Sequence, residues 1–233
     1  MRTGLLAALL VALVATHSRA GAPGFAAMGA DAPVALFFGS STTTGVGASS
    51  AARRWSSLLA RDAGWREVNA GFPGTTLTDR PGPGRAPSAE ARWRALVGKE
   101  RPAFVFVMYG ANDARMGVPI GTPTTPGTFR HAAATVVRGL RAAFPDAVVV
   151  LVTPQPARRL LGVRVPYDAA LEAEAVAAGV LLVDGAAAFP ASALADHAAD
   201  AIHLNDRGHA AFALHVAGVL ARAGLVATRG RAE

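Results

Sequence analysis

From Val34 onward, short runs rich in apolar residues alternate with longer stretches in which apolar positions recur every three or four residues. The runs VALFF (34–38), REVNA (66–70), AFVFVMY (103–109), AVVVLVT (147–153) and VLLVD (180–184) have the length and composition of strands in a parallel sheet covered on both faces. Between and after them, the spacing predicts helices near 53–63, 88–99, 128–143, 167–178 and 206–223. Strand alternating with helix implies right-handed crossovers, and therefore an α/β three-layer sandwich with helices on both faces of one sheet. A chain of 233 residues suits one such core, placed at 34–226 with 227–233 as a tail.

The segment before the first strand has a different pattern. Arg2, the unbroken apolar run Leu5 to Ala15 and the small-x-small triplet Ser18-Arg19-Ala20 have the layout of a secretory signal, residues 1–20. Residues 21–33, rich in Gly, Ala and Pro, read as a leader ahead of the domain. The run is too short to span a bilayer, which takes about 20 apolar residues, so stable membrane insertion is not expected. This reading makes the protein secreted or periplasmic; initiation at Met28 would instead leave it in the cytoplasm.

Charge and composition narrow the chemistry. The formal net charge is +7, but all the basic residues except Lys99 are arginines scattered through every predicted helix and loop. They form no stripe interleaved with aromatics, which argues against a nucleic-acid partner. The absence of cysteine excludes disulfides, thiolate metal sites and a cysteine nucleophile, leaving Ser, His and carboxylates.

In a parallel sheet the reactive groups belong in the loops at the carboxyl ends of the strands. The first strand runs directly into Gly39-Ser40-Ser41-Thr42-Thr43-Thr44-Gly45, which is either a Ser/Thr turn or a rigidly held nucleophile. A Walker loop is excluded because five residues separate Gly39 from Gly45 and no lysine follows. A dinucleotide fingerprint fails because Ser50 takes the third glycine position and the second strand ends in Asn69 instead of an acid. The second strand leads to Gly71-Phe72-Pro73-Gly74, where a glycine can offer an unobstructed N–H. After the third strand, the amide of Asn112 can donate to a developing oxyanion or close an Asx turn. Near the C-terminus, Asp200-Ala201-Ile202-His203 has a spacing that can set a carboxylate beside one ring nitrogen and leave the other free as a base.

These four blocks, in this order, resemble those of the SGNH/GDSL hydrolases across about residues 34 to 224. Ser41 in Gly39-x-Ser41-x-Thr43 is similar to that family's nucleophile block, Gly74 to its second-block glycine, Asn112 to its Gly-x-Asn-Asp asparagine, and Asp200 with His203 to its Asp-x-x-His pair. One departure is Ser40, where the family has the Asp of Gly-Asp-Ser-Leu; the expected consequence is altered loop hydrogen bonding with the nucleophile retained. The resemblance implies a flavodoxin-like sheet of five parallel strands in the order 2-1-3-4-5. It also implies a serine esterase with Ser41 as nucleophile, His203 as base, Asp200 as orienting acid, and an oxyanion hole of Ser41, Gly74 and Asn112, with no metal and no cofactor.

The implied substrate is a small-molecule or saccharide ester with a short acyl group, such as a sugar O-acetyl group. Alternatives are a lipase or thioesterase acting on longer chains, and a non-catalytic carbohydrate-binding module on the same fold. Asp113 is expected to bond loop backbone. His131, His197 and His209 show no metal-closing spacing and read as surface or structural residues. Arg115, Arg158 and Arg159 lie in loops beside the expected cleft, either as solvated surface or as contacts to an anionic substrate.

Overall fold

The computed structural model describes residues 32–80 and 86–227; the segment expected to be a signal (1–20), most of the expected leader and all but the first residue of the expected tail lie outside them. Five strands, β1 (Val34–Gly39), β2 (Arg66–Asn69), β3 (Pro102–Met108), β4 (Val148–Val152) and β5 (Leu181–Val183), form one parallel sheet in the order β2-β1-β3-β4-β5. This is the order that the family resemblance implies.

Along each strand successive side chains point to opposite faces, so a continuous apolar run feeds two separate cores. Leu36, Phe38, Val105, Val107, Val149 and Leu151 join one core with α5 (Phe129–Ala143) and α6 (Val165–Ala178). Ala35, Phe37, Phe104, Phe106, Val150 and Val152 join the other with α2 (Trp55–Ala63) and α8 (Asp206–Arg222). The second core is organised around aromatic rings. Phe37 stacks on Phe106 at 4.8 Å, and Trp55 sets its edge against Phe37 at 5.2 Å and meets Phe212 of α8 at 5.4 Å.

Short helices complete the chain: α1 (Ser41–Thr44), α3 (Ala89–Arg92), α4 (Ala111–Arg115) and α7 (Leu194–His197). Three of them, α1, α4 and α7, fall within sequence expected to be loop. The helix expected over 88–99 is instead the single turn of α3 continued as a 3-10 turn, Trp93–Leu96. The tighter turn seats the Trp93 indole against Gly139 of α5, where a β-carbon would come within 2.4 Å of the ring. Contact with a neighbouring helix thus overrides the local helical spacing. No helix among the described residues is long and apolar enough to cross a membrane.

His209, read from the sequence as surface or structural, is structural and 0% exposed. The backbone N–H of Trp55 donates to its Nδ1 at 3.2 Å, so the ring accepts there and carries its proton on Nε2, 3.4 Å from the Val46 carbonyl. The imidazole therefore ties α8 to the start of α2 only while it is neutral. Burial pushes its pKa down to about 4, against weaker opposition from the Val46 carbonyl and Asp206. The unfolded chain binds a proton at this residue near pH 6.5 and the folded chain only near 4, so folding stability is lost as the pH falls through that window. The loss amounts to roughly 3 kcal/mol for this group. Urea unfolding between pH 7 and pH 4 should show a markedly flatter stability profile for His209→Gln than for the parent; parallel profiles would contradict the assignment.

Candidate active site

Every loop that carries a singled-out residue opens at the carboxyl edge of the sheet, and the backbone explains why each sits where it does. β1 ends at Gly39, where a β-carbon would lie 2.0 Å from Thr43 Oγ1 and 3.0 Å from the Met108 carbonyl. Only glycine lets the chain turn there directly into α1. Ser41 is the first residue of that helix, so its N–H has no carbonyl partner within the helix. Gly45, in left-handed backbone at φ 99°, ends the helix after one turn.

Ser40, in the position of the expected aspartate, makes no side-chain cap to α1. The helix is held from below instead. Asn69 Nδ2, at the end of β2, donates to the Thr43 carbonyl at 2.7 Å, and Asn69 Oδ1 accepts from Gly71 N–H at 3.0 Å. One amide thereby joins the Ser41 turn to the loop that carries Gly74. Nearby, Phe72 N–H donates to the Gly39 carbonyl at 3.0 Å, and Tyr109 donates its hydroxyl to the same oxygen at 2.8 Å.

The Asp200–His203 turn approaches from the other side of the edge. Asp200 Oδ1 accepts the N–H groups of Ile202 (2.6 Å) and His203 (2.8 Å), and Oδ2 lies 2.7 Å from His203 Nδ1. Partial burial alone would raise the pKa of this carboxyl. Hydrogen bonds from the His203 ring and from the two backbone N–H groups outweigh that effect and carry it down to about 2. An ionised carboxylate can only accept, so Nδ1 bears the proton in this contact. His203 Nε2 is then left with its lone pair 3.1 Å from Ser41 Oγ.

Two further features fix that approach. Gly47, just past α1, lies so close to the Leu204 carbonyl that a β-carbon would come within 2.2 Å of it. Gln155 Nε2, buried, donates to the Ile202 carbonyl at 2.8 Å, and Arg159 N–H donates to the Ala201 carbonyl at 3.0 Å. Gln155 is held in turn by Arg164, whose guanidinium reaches the carbonyls of Pro154 (2.6 Å) and Gln155 (3.0 Å).

Asn112 lies on α4, and its Nδ2 donates to the Thr75 carbonyl at 2.8 Å, leaving the second N–H of the amide for another acceptor. The contact brings it against the residue that follows Gly74, which is in left-handed backbone at φ 76° with nothing within 4 Å of where a β-carbon would be. Asp113 behaves as expected: fully buried, it accepts the N–H groups of Leu77 (2.9 Å) and Thr78 (3.0 Å) and so anchors the far end of the same loop. Burial raises its pKa against those two bonds.

Ser41, Asp200 and His203 are thus joined in one hydrogen-bonded line, and Asn112 is brought against Thr75, next to Gly74, at the same sheet edge. Of the other histidines, His131 Nδ1 lies 3.0 Å from the Pro123 carbonyl, and His197 Nδ1 is 2.8 Å from the Ala193 carbonyl with its ring stacked on Phe189. Arg115, Arg158 and Arg159 are exposed, and Arg158 lines a cavity of about 270 Å³ together with Asp200, Leu194, Ala195, Ala198 and Ala199. Sequence reading assigns no structural role at this edge to Asn69, Gln155 or Arg164. Their partners are backbone carbonyls of distant loops, which residue type and spacing do not reveal.

Comparison with solved structures places the fold among known ones. A GDSL-like lipase candidate from Bacteroides ovatus is 15% identical, with 82% of this chain and 99% of that one aligned at a TM-score of 0.65. A carbohydrate acetylesterase family member from Sinorhizobium meliloti is 16% identical over 82% of this chain and 98% of that one, at 0.58. A two-domain esterase active on acetylated mannans is 18% identical over 86% of this chain, which spans 52% of that one, at 0.61. No curated protein matches the chain. The family model of GDSL-like lipases and acylhydrolases matches residues 37–211, from β1 to α8 and across all four blocks, and the chain belongs to that family.

Proposed function

We propose that the protein hydrolyses carboxylic esters through an acyl-enzyme on Ser41. The observation that carries this reading is the line from Asp200 through His203 to Ser41, with separations of 2.7 Å and 3.1 Å. A serine hydroxyl is a poor nucleophile until a base takes its proton during attack. His203 Nε2 is within reach to do so, and the ionised Asp200 fixes the tautomer and stabilises the imidazolium that forms.

As Ser41 Oγ bonds to the ester carbon, the carbonyl oxygen becomes an oxyanion. In this reading it is met by the Ser41 and Gly74 N–H groups and by the Asn112 N–H that is not used by Thr75. Donors fixed before the reaction need no reorganisation when the charge appears, and each contributes roughly 3 kcal/mol. The intermediate collapses by expelling the alcohol, to which His203 returns the proton. Water then attacks the acyl-enzyme with His203 again as base, releasing the acid and restoring Ser41.

For the substrate, the reading extends to short acyl groups, with an O-acetyl group on a saccharide as the favoured ester. Support comes from the acetyl esters named for two proteins of the same fold. The apposition of base and hydroxyl also favours turnover over a binding module that has lost chemistry. Such a module has no need of a carboxylate bonded to one ring nitrogen while the other faces a serine hydroxyl.

Release of nitrophenol from acetyl, butyryl and longer esters tests this directly. Ser41→Ala should abolish release, and equal rates from parent and variant would exclude Ser41. Asp200→Asn should slow turnover by roughly three orders of magnitude or more while leaving the melting temperature within a few degrees of the parent. A parallel loss of stability and rate would make Asp200 a structural residue instead.

A further inference from the structure

The arginines singled out in the sequence have no part in the chemistry above, and their surroundings are unusual. Two loops at the active edge, 114–127 and 154–165, contain no acidic residue at all. Their charged residues are Arg115, Arg158, Arg159 and Arg164, of which the first three are exposed. The acids that flank these loops in sequence are turned inward: Asp113 is buried on the Leu77 and Thr78 N–H groups, and Asp168 pairs with Arg164.

Beside the arginines the same loops expose large apolar side chains. Leu161, Val163 and Val165 are 56%, 43% and 67% exposed, and Met116 is 36% exposed. Residues 158–160 pack against α4, which carries Arg115, and Tyr167 of α6 donates its hydroxyl to the Val118 carbonyl at 2.6 Å, so the two loops form one surface.

This exposure is built into the fold. Arg164, itself buried, binds two backbone carbonyls and Asp168 and so clamps the base of the 158–165 turn. Leu160 points into the core at 0% exposure while Leu161 points out. An exposed apolar cluster of this kind marks a contact surface. The charged residues of these loops are all arginines, and Asp200, which lines the cavity beside Arg158, is engaged by the Ile202 and His203 N–H groups and the His203 ring, so the rim specifies an anionic one.

We infer that this rim, formed by Leu161, Val163, Val165 and Met116 with Arg115, Arg158 and Arg159, docks on an anionic phospholipid surface. The apolar side chains enter the headgroup boundary, and the guanidinium groups bind phosphates. A bilayer fits better than a soluble anion because the apolar tips need an apolar phase that a small anionic ligand lacks. Docking places the sheet edge bearing Ser41 toward the membrane, so esters carried on that surface are the ones presented to it. The inference stands apart from ester hydrolysis, since adsorption is read without turnover.

The test is co-sedimentation of the full chain with vesicles of phosphatidylcholine alone or of phosphatidylcholine mixed with phosphatidylglycerol. Binding to the mixed vesicles should exceed binding to the neutral ones by at least roughly tenfold and weaken as salt is added. The double variant Arg158→Gln/Arg159→Gln should lose roughly tenfold of that binding. Leu161→Ser/Val163→Ser/Val165→Ser should lose a comparable factor, with the melting temperature of both variants showing that they fold.

No partition into either vesicle, or equal partition into both, would overturn the inference. Undiminished binding by the serine variant would also overturn it, by placing adsorption elsewhere, as on the apolar run at Leu5 to Ala15. So would a parental dimer in sedimentation velocity that the serine variant lacks, because the rim would then be an interface between copies.

Discussion

The 3.1 Å approach of His203 Nε2 to Ser41 Oγ joins residues 162 positions apart in the chain, and the rest of the carboxyl edge is arranged to hold it. A hydrogen bond between two partly exposed side chains contributes about 1 kcal/mol on its own, far too little to order two loops. Its geometry must therefore be imposed by backbone. On one side the turn at Gly39 fixes where Ser41 leaves the sheet, and Asn69 pins the helix it starts. On the other, Gln155 and the close passage of Gly47 under the Leu204 carbonyl set the height of the Asp200–His203 turn. The two aromatic-rich and aliphatic cores keep β1 and its neighbours rigid beneath both.

Electrostatics at the site follow from the same arrangement. Asp200 is exposed, yet its charge is firmly kept, because three N–H donors converge on its two oxygens. Asp113 is the converse case: a carboxylate buried on two backbone donors, with its pKa raised, serves to hold the Gly74 loop and Asn112 in register. Two aspartates at the same sheet edge thus have different uses, set by their burial and not by their residue type.

The sheet was legible because apolar runs buried on both faces have no other explanation in a chain of this composition, and each strand lies within two residues of its expected bounds. The four blocks were legible because Ser41, Gly74, Asn112, Asp200 and His203 lie in loops that follow strands and match, in order, the motifs of the family the chain resembles. What the sequence hid depends on tertiary contact. Trp93 breaks its helix to reach Gly139, and His209, close to the Asp200–His203 pair in sequence, is committed to the Trp55 backbone. In the loop after β4, Arg164 is a buried clamp whereas Leu161 is exposed, a reversal of what their polarity alone suggests. Side chains whose partners are main-chain atoms of remote loops leave no periodicity to read.

The central claim is that Ser41 is the atom that attacks. Its most direct measurement is covalent capture: the full chain is treated with a fluorophosphonate ester, digested, and analysed by mass spectrometry. The account predicts one phosphonylated serine, Ser41, with labelling strongly slowed in His203→Ala. A label on any other serine, or equal labelling rates with and without His203, would contradict it.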